Sequence, residues 1–208
     1  MFITEADFTK YCADFICASN YLLDGWQLKT YEDSQSPVLQ KKFTKHLAAN
    51  TCKNQLKCDD SECGVLNYDD SDEDAVGRDH ISTEEVTLEC HVVYKEAFSN
   101  AALYFLPSWS NGEMLTLEDC WTASGLISSD HRHNVTAGQK WTFLTQAQHP
   151  YLNTPFFVLH PCHIGDVLEP LSKTSNYIMA WLSVVAPVFD LEFFPEAYDC
   201  YFESHKTD

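Results

Sequence analysis

The stretch Phe156-Phe157-Val158-Leu159-His160-Pro161-Cys162 ends an apolar run on a thiol, with two imidazoles, His160 and His163, beside it. Four large apolar residues opened by Pro155 read as a short buried strand. Pro161 fixes its own φ and disfavours helix at His160, so the strand must stop there. A thiol at the end of a rigid element combines access with fixed position, the arrangement reactive groups use. The competing reading makes Cys162 a small apolar packing residue, the usual fate of a free cysteine.

Three chemistries are open to these residue types. A structural zinc site draws on Cys52, Cys58 and Cys63, with His80 and the Cys90-His91 pair downstream. Such sites usually show two tight Cys/His pairs, and only Cys58 and Cys63 have that spacing, so no metal is expected. A Cys-His hydrolase needs a base within hydrogen-bond reach of the thiol, and His149, His160 and His163 are the available imidazoles. None of the local signatures of cysteine proteases accompanies them, and no Walker A, G-x-G-x-x-G, G-x-S-x-G or H-E-x-x-H run is present. The third chemistry is acyl carriage. A thiol with a pKa near ~8.5 is a few per cent thiolate at neutral pH, enough to exchange with a thioester delivered by a partner. It needs no dedicated base and no cofactor.

The elements that must position this thiol can be read from periodicity. Thr4 and Asp7 have capping-box spacing, and Phe8, Tyr11, Cys12, Phe15 and Ile16 follow at helical intervals, giving a first helix ending near Ser19-Asn20. Trp26, Leu28 and Thr30 alternate as a strand, with an antiparallel partner over Val38 to Leu47. Val86, Leu88, Cys90, Val92 and Tyr94 alternate with Thr87, Glu89, His91 and Val93, a half-buried strand. Ala101 to Leu106 reads as its central neighbour, ending at Pro107. Thr116 and Asp119 cap a short helix from Leu117 to about Gly125, and His131-Arg132-His133 read as solvated loop. Trp141 to Thr145 and Pro155 to Leu159 form a hairpin. Ile178, Trp181, Leu182 and Val185 mark a helix starting at Thr174 or Ser175, which Pro187 kinks or ends. The expected fold is α+β, one layer of mostly antiparallel sheet backed by helices.

Composition narrows the partners. The 208 residues fit one domain, 1–208, and a net charge of −18 argues against nucleic-acid or anionic-membrane partners. Eight acidic side chains from Asp59 to Asp74 mark a flexible acidic insertion at about 50–80. Nine cysteines, no run long enough to span a bilayer and no signal-like start at Met1-Phe2-Ile3 point to a reducing, cytoplasmic setting. In that setting the Asn134-Val135-Thr136 sequon stays unglycosylated.

Beyond these readings, Gln148-His149-Pro150 followed by Pro155 to Cys162 resembles the active-site segment of the autophagy ubiquitin-like-conjugating enzymes, where His-Pro directly precedes the catalytic cysteine. Residues Phe8 to Ile16, His91 to Tyr94, Leu103 to Phe105, Leu115 to Trp121 and Asn176 to Val188 further resemble the autophagy-related protein ten family. The likeness covers most of the chain outside about 50–80. It implies a ubiquitin-conjugating-enzyme-like fold and an acyltransferase with a glycyl thioester on Cys162. An activating enzyme of the autophagy-related protein seven type would load autophagy-related protein twelve onto Cys162. A lysine of autophagy-related protein five would then accept it.

The resemblance leaves the other eight cysteines to packing and offers His160 and Tyr94 as supporting residues. Where the family often carries Thr two residues after the cysteine, this chain has Ile164, and a proline common before the Leu-Tyr-Phe strand is replaced near Ala101. The His-Pro-Asn motif of ordinary ubiquitin-conjugating enzymes is absent, so Asn100 and Asn153 are oxyanion candidates by residue type alone. The alternative from another class is a non-catalytic interaction scaffold of the same fold with Cys162 buried.

Overall fold

The computed structural model describes residues 2–32, 34–48, 83–122, 126–134, 143–159 and 176–205. The acidic stretch expected as a flexible insertion lies outside them. Helix α1, Glu5–Leu22, starts as its sequence demands: the Asp7 N–H donates to Thr4 Oγ1 at 3.1 Å, and the Thr4 N–H donates back to the Asp7 carboxylate at 3.2 Å. It runs two residues past the expected end at Ser19-Asn20. Leu23 takes a left-handed conformation, φ 54°, and the Asp24 N–H reaches back to the Ser19 carbonyl at 3.0 Å.

Six strands follow in the described residues: β1 Gln27–Lys29, β2 Val38–Ala48, β3 Thr83–Lys95, β4 Asn100–Trp109, β5 Leu144–Gln148 and β6 Pro155–Leu159. They form one sheet in the order β1-β2-β3-β4-β6-β5, antiparallel at every pairing. β4 does not stop at Pro107; it continues to Trp109. The Pro107 carbonyl accepts from the Leu115 N–H at 3.0 Å, so the N–H it lacks faces the side that β6 does not reach. A proline is tolerated there because no ladder bond is lost.

Short helices α2, Leu117–Thr122, and α3, Ser129–Asn134, cross between β4 and β5. Thr116 and Asp119 close the expected capping box of α2. His131, Arg132 and His133 lie on α3, not in a loop, and the Ser128 hydroxyl meets His131 Nδ1 at 2.7 Å. Helix α4, Tyr177–Val185, starts later than expected, at the N-cap Asn176, whose Oδ1 accepts from the Ile178 and Met179 N–H groups. Its amide also donates to the Tyr11 carbonyl at 2.9 Å, tying α4 to α1. Pro187 sits in a 3₁₀ turn, Ala186–Phe189, that ends α4. Helix α5, Pro195–Ser204, has no counterpart in the periodicity reading, although Pro195 occupies its first turn.

α1, α4 and α5 cover one face of the sheet. Phe15 is fully buried there, stacked on Tyr198 at 4.9 Å and edge-on to Trp26 at 5.9 Å. The other face is not solvated throughout. Val38, Val93, Ala102, Tyr104, Phe156 and Val158 form a second apolar cluster on it, and His91 is fully buried with them. The sheet around β3, β4 and β6 is therefore buried on both sides, which corrects the half-buried reading of β3. Among the described residues no helix is long and apolar enough to cross a membrane.

Phe15→Ala should lower stability by roughly 3–5 kcal/mol, from lost transfer energy plus the cavity left among fixed aromatic neighbours. Phe2→Ala, at an 84% exposed position, should stay within about 0.5 kcal/mol. Urea midpoints with a shared slope would check both.

Candidate active site

β6 is the element that leads to the thiol. The central three of its five residues alternate between the two cores: Phe157 packs with the helices, while Phe156 and Val158 pack in the second cluster. Its last residue, Leu159, is paired with Leu103 of β4 on one side and Leu144 of β5 on the other. Ladders on both edges and apolar packing on both faces keep the strand within the sheet. His160, Cys162, His163 and Ile164 follow immediately and lie outside the described residues.

The first residues of β4 mark the same end of the sheet. Asn100 is buried, and its Oδ1 accepts from the Ala101 N–H at 2.7 Å and from the Tyr177 hydroxyl. Burial pushes the Tyr177 phenol up, so it remains a donor. Tyr94 is paired with Ala101 across the β3–β4 ladder. Its hydroxyl donates to the Ile3 carbonyl at 3.1 Å and its ring lies 5.7 Å from Phe8, so it anchors the segment before α1. Asn153 is elsewhere, in the turn between β5 and β6, at φ 53°, with Oδ1 accepting from Gln148 Nε2 at 3.1 Å. That is the left-handed turn role asparagine tolerates well.

The cysteines divide by burial. Cys12, Cys90 and Cys120 are buried, and burial pushes each thiol up, Cys120 to about 12, so none of the three is a nucleophile at neutral pH. Cys17 and Cys200 are exposed, which corrects their assignment to packing. Cys52, Cys58, Cys63 and His80 lie outside the described residues. Cys90 and His91 point to opposite faces of β3, Cys90 into the helix-covered core, so they do not act as adjacent metal ligands. Among the described residues no group of three or more His, Cys, Asp or Glu side chains is placed to hold a metal.

His149 is not a free base. It is fully buried in a ring of aromatic side chains, with Phe156 at 4.9 Å, Tyr104 at 5.3 Å and His91 at 4.9 Å between centroids. Its Nε2 lies 3.0 Å from His91 Nδ1, and its Nδ1 accepts from the Tyr151 and Leu152 N–H groups at 3.2 Å each. His91 Nε2 lies 3.0 Å from Glu89 Oε1, and Lys42 and Gln40 bind the same carboxylate, each at 2.8 Å. Sequence reasoning missed this cluster because Glu89 and His91 occupy the nominally polar row of β3. The signal was Val93 in that same row, which should not alternate outward.

Comparison with known proteins follows the same line. The family model for the active-site domain of autophagocytosis-associated proteins matches residues 7–196, a span that includes all but the first two residues of α1, the whole described sheet, His149 and Cys162. A ubiquitin-like-conjugating enzyme ATG10 from Homo sapiens is 33% identical over 205 residues, 91% of this chain and 90% of its own. One from Arabidopsis thaliana is 36% identical over 114 residues, 49% of this chain and 48% of its own. Another from Dictyostelium discoideum is 22% identical over 124 residues, 51% of this chain and 52% of its own. The α+β sheet with its helical backing agrees with the ubiquitin-conjugating-enzyme-like fold expected from the resemblance. By the extent and identity of these matches, the chain belongs to the ATG10 family of autophagy ubiquitin-like-conjugating enzymes.

Proposed function

We propose that Cys162 accepts a ubiquitin-like modifier as a glycyl thioester from an activating enzyme and passes it to a lysine of an acceptor protein. The observation that carries this reading is the family match across 91% of the chain, together with a doubly buried strand that runs out three residues before Cys162. The partners are those the resemblance implies: an activating enzyme of the autophagy-related protein seven type, autophagy-related protein twelve as modifier and autophagy-related protein five as acceptor, in the cytoplasm. The chain's −18 charge suits partners with basic docking surfaces.

The chemistry has two acyl transfers. In the first, the Cys162 thiolate attacks the modifier's terminal carbonyl on the activating enzyme, a tetrahedral oxyanion forms, and the activating enzyme's thiolate leaves. In the second, a lysine amine attacks the Cys162 thioester, loses a proton, and expels the Cys162 thiolate as the isopeptide bond forms. Pro161 fixes its own φ and disfavours helix at His160, so this pair is the expected means of presenting the sulfur. Each oxyanion needs a donor. Asn100 stands at the end of the sheet towards which β6 runs, three residues before Leu103, the partner of Leu159; Asn153 stands at the opposite end of β6. This favours Asn100, whose occupied Oδ1 leaves the amide NH₂ as the donor. Tyr94 plays a structural supporting part, through the segment before α1, since its hydroxyl is already committed to Ile3.

Incubation with activating enzyme, modifier and ATP should give a thiol-sensitive adduct on a non-reducing gel. Cys162→Ala should abolish it, and Cys162→Ser should convert it to an adduct that reductant does not cleave. An adduct that survives Cys162→Ala would contradict the proposal. A Cys162 that resists alkylation in the folded protein would favour the interaction-scaffold alternative. Tyr94→Phe should cost about 1 kcal/mol of stability by removing one hydrogen bond, and should leave the rate of adduct formation within about twofold. Thermal melts and initial rates would check the two halves.

A further inference from the structure

The hairpin that delivers the thiol is joined to the rest of the sheet by a short seam. β6 pairs with β4 over three residue pairs, Leu103↔Leu159 to Phe105↔Phe157, whereas β2 and β3 share ten. Three pairs leave the tilt of the β5–β6 hairpin to be fixed by something else. The Glu89–His91–His149 chain reaches past β4, from β3 to the hairpin turn.

Its protons can be assigned by elimination. His149 Nδ1 receives two backbone N–H groups, Tyr151 and Leu152, so it carries no hydrogen. The hydrogen is then on Nε2 and points at His91 Nδ1, which must be bare. His91 therefore carries its hydrogen on Nε2 and donates it to the Glu89 carboxylate. That carboxylate is held ionised: burial opposes its charge, but Lys42 and His91 outweigh it and bring its pKa down. Every nitrogen in the chain has a partner, and a neutral imidazole pair is the only protonation state that satisfies all of them.

We propose that His149 is a positioning residue, which bridges through His91 and Glu89 to lock the β5–β6 hairpin onto β3 and so aims the segment bearing Cys162. This rests on the reading of Cys162 as the thioester nucleophile. The imidazole has two separable jobs: Nδ1 caps the turn, and Nε2 ties that turn to the sheet. The bridge, and not the cap, sets the strand's direction.

The lock is also acid-sensitive. Burial, then the neighbouring His91, bring His149 down to about 4 from the ordinary 6.5; burial also lowers His91. Glu89 of β3 opposes both shifts, Lys95 at the end of β3 adds to the lowering at His149, and Lys29 of β1 and Lys42 of β2 add to it at His91. The rings of Tyr31, Tyr104 and Tyr151 complete the surroundings. An unfolded turn takes up protons below pH about 6.5 that the folded turn refuses until about 4. The lock is thus complete above 6.5 and weakens as pH falls through that window.

The test uses His149→Asn, His149→Ala and His91→Phe in the full chain. Asparagine can still accept from the Tyr151 and Leu152 N–H groups, as in an Asx turn, but is too short to reach His91. Hydrogen exchange at those two amides reads the cap, and the initial rate of Cys162 adduct formation at pH 7.5 reads the aim. In the unaltered protein, amide protection should fall between pH 6.5 and 4; in His149→Asn it should persist. His149→Asn and His91→Phe should nonetheless both slow adduct formation by roughly 10-fold, since a small misplacement of a reacting group is costly. If either fails to fold by circular dichroism, the other decides. A His149→Asn protein that forms adduct as fast as the unaltered one would overturn the proposal, because the turn cap alone would then suffice. Protection that stays flat from pH 6.5 to 4 in the unaltered protein would also overturn it. An unaltered protein that forms no adduct on Cys162 would overturn the conjugation reading and the positioning role with it, and is recognised by an intact exchange signature.

Discussion

β6 is five residues long, and what surrounds it dictates much of the fold. Val158 and Phe156 need an apolar cover on one face and Phe157 on the other, so the sheet must be packed on both sides where β6 lies. The helical layer supplies one cover, with Phe189 and Trp181 in the cluster that holds Phe157 and its β4 neighbour Phe105. A smaller aromatic layer, with Tyr31 and Tyr151 stacked at 5.5 Å, supplies the other. A strand this short has little ladder of its own, and its position follows from that double burial more than from backbone pairing.

Double burial has a polar consequence. A turn placed against an apolar layer brings backbone N–H groups with it, and each would cost about 1–3 kcal/mol if left without an acceptor. Here a histidine ring supplies the acceptor and a second histidine takes the hydrogen it is left with. The partly exposed carboxylate of Glu89 on β3 ends the series, with 23% of its side chain accessible. The unsatisfied end of the chain is thereby carried from the buried turn to a place where lysine and water can meet it.

Much of this architecture was legible in the residues. The two Thr-x-x-Asp capping boxes and the strand over Val86 to Tyr94 rest on local rules that nothing overrides. The β5–β6 hairpin is present, but its first strand lies at Leu144–Gln148, three residues beyond the expected Trp141 to Thr145, in register with Pro155–Leu159. Pro107 misled because a proline ends a strand only where its missing N–H would have faced a neighbour. His91 misled because alternation marks which residues share a face, and says nothing about what covers that face. The cap of α4 falls on Asn176, not on the expected Thr174 or Ser175, and Asn176 makes a second bond, to the carbonyl of Tyr11, a contact 165 residues away in sequence that no local rule could supply. Pro161 and the apolar run single out Cys162 in the sequence, and the role proposed for it rests on likeness to a family, because reactivity at a cysteine depends on surroundings that spacing does not encode.

The most direct test is to locate the modifier by mass spectrometry after a single round of charging, under conditions that preserve thioesters. The account predicts one modifier, less one water, on the peptide that carries Cys162. Modifier on the exposed Cys17 or Cys200, with Cys162 unmodified, would contradict it.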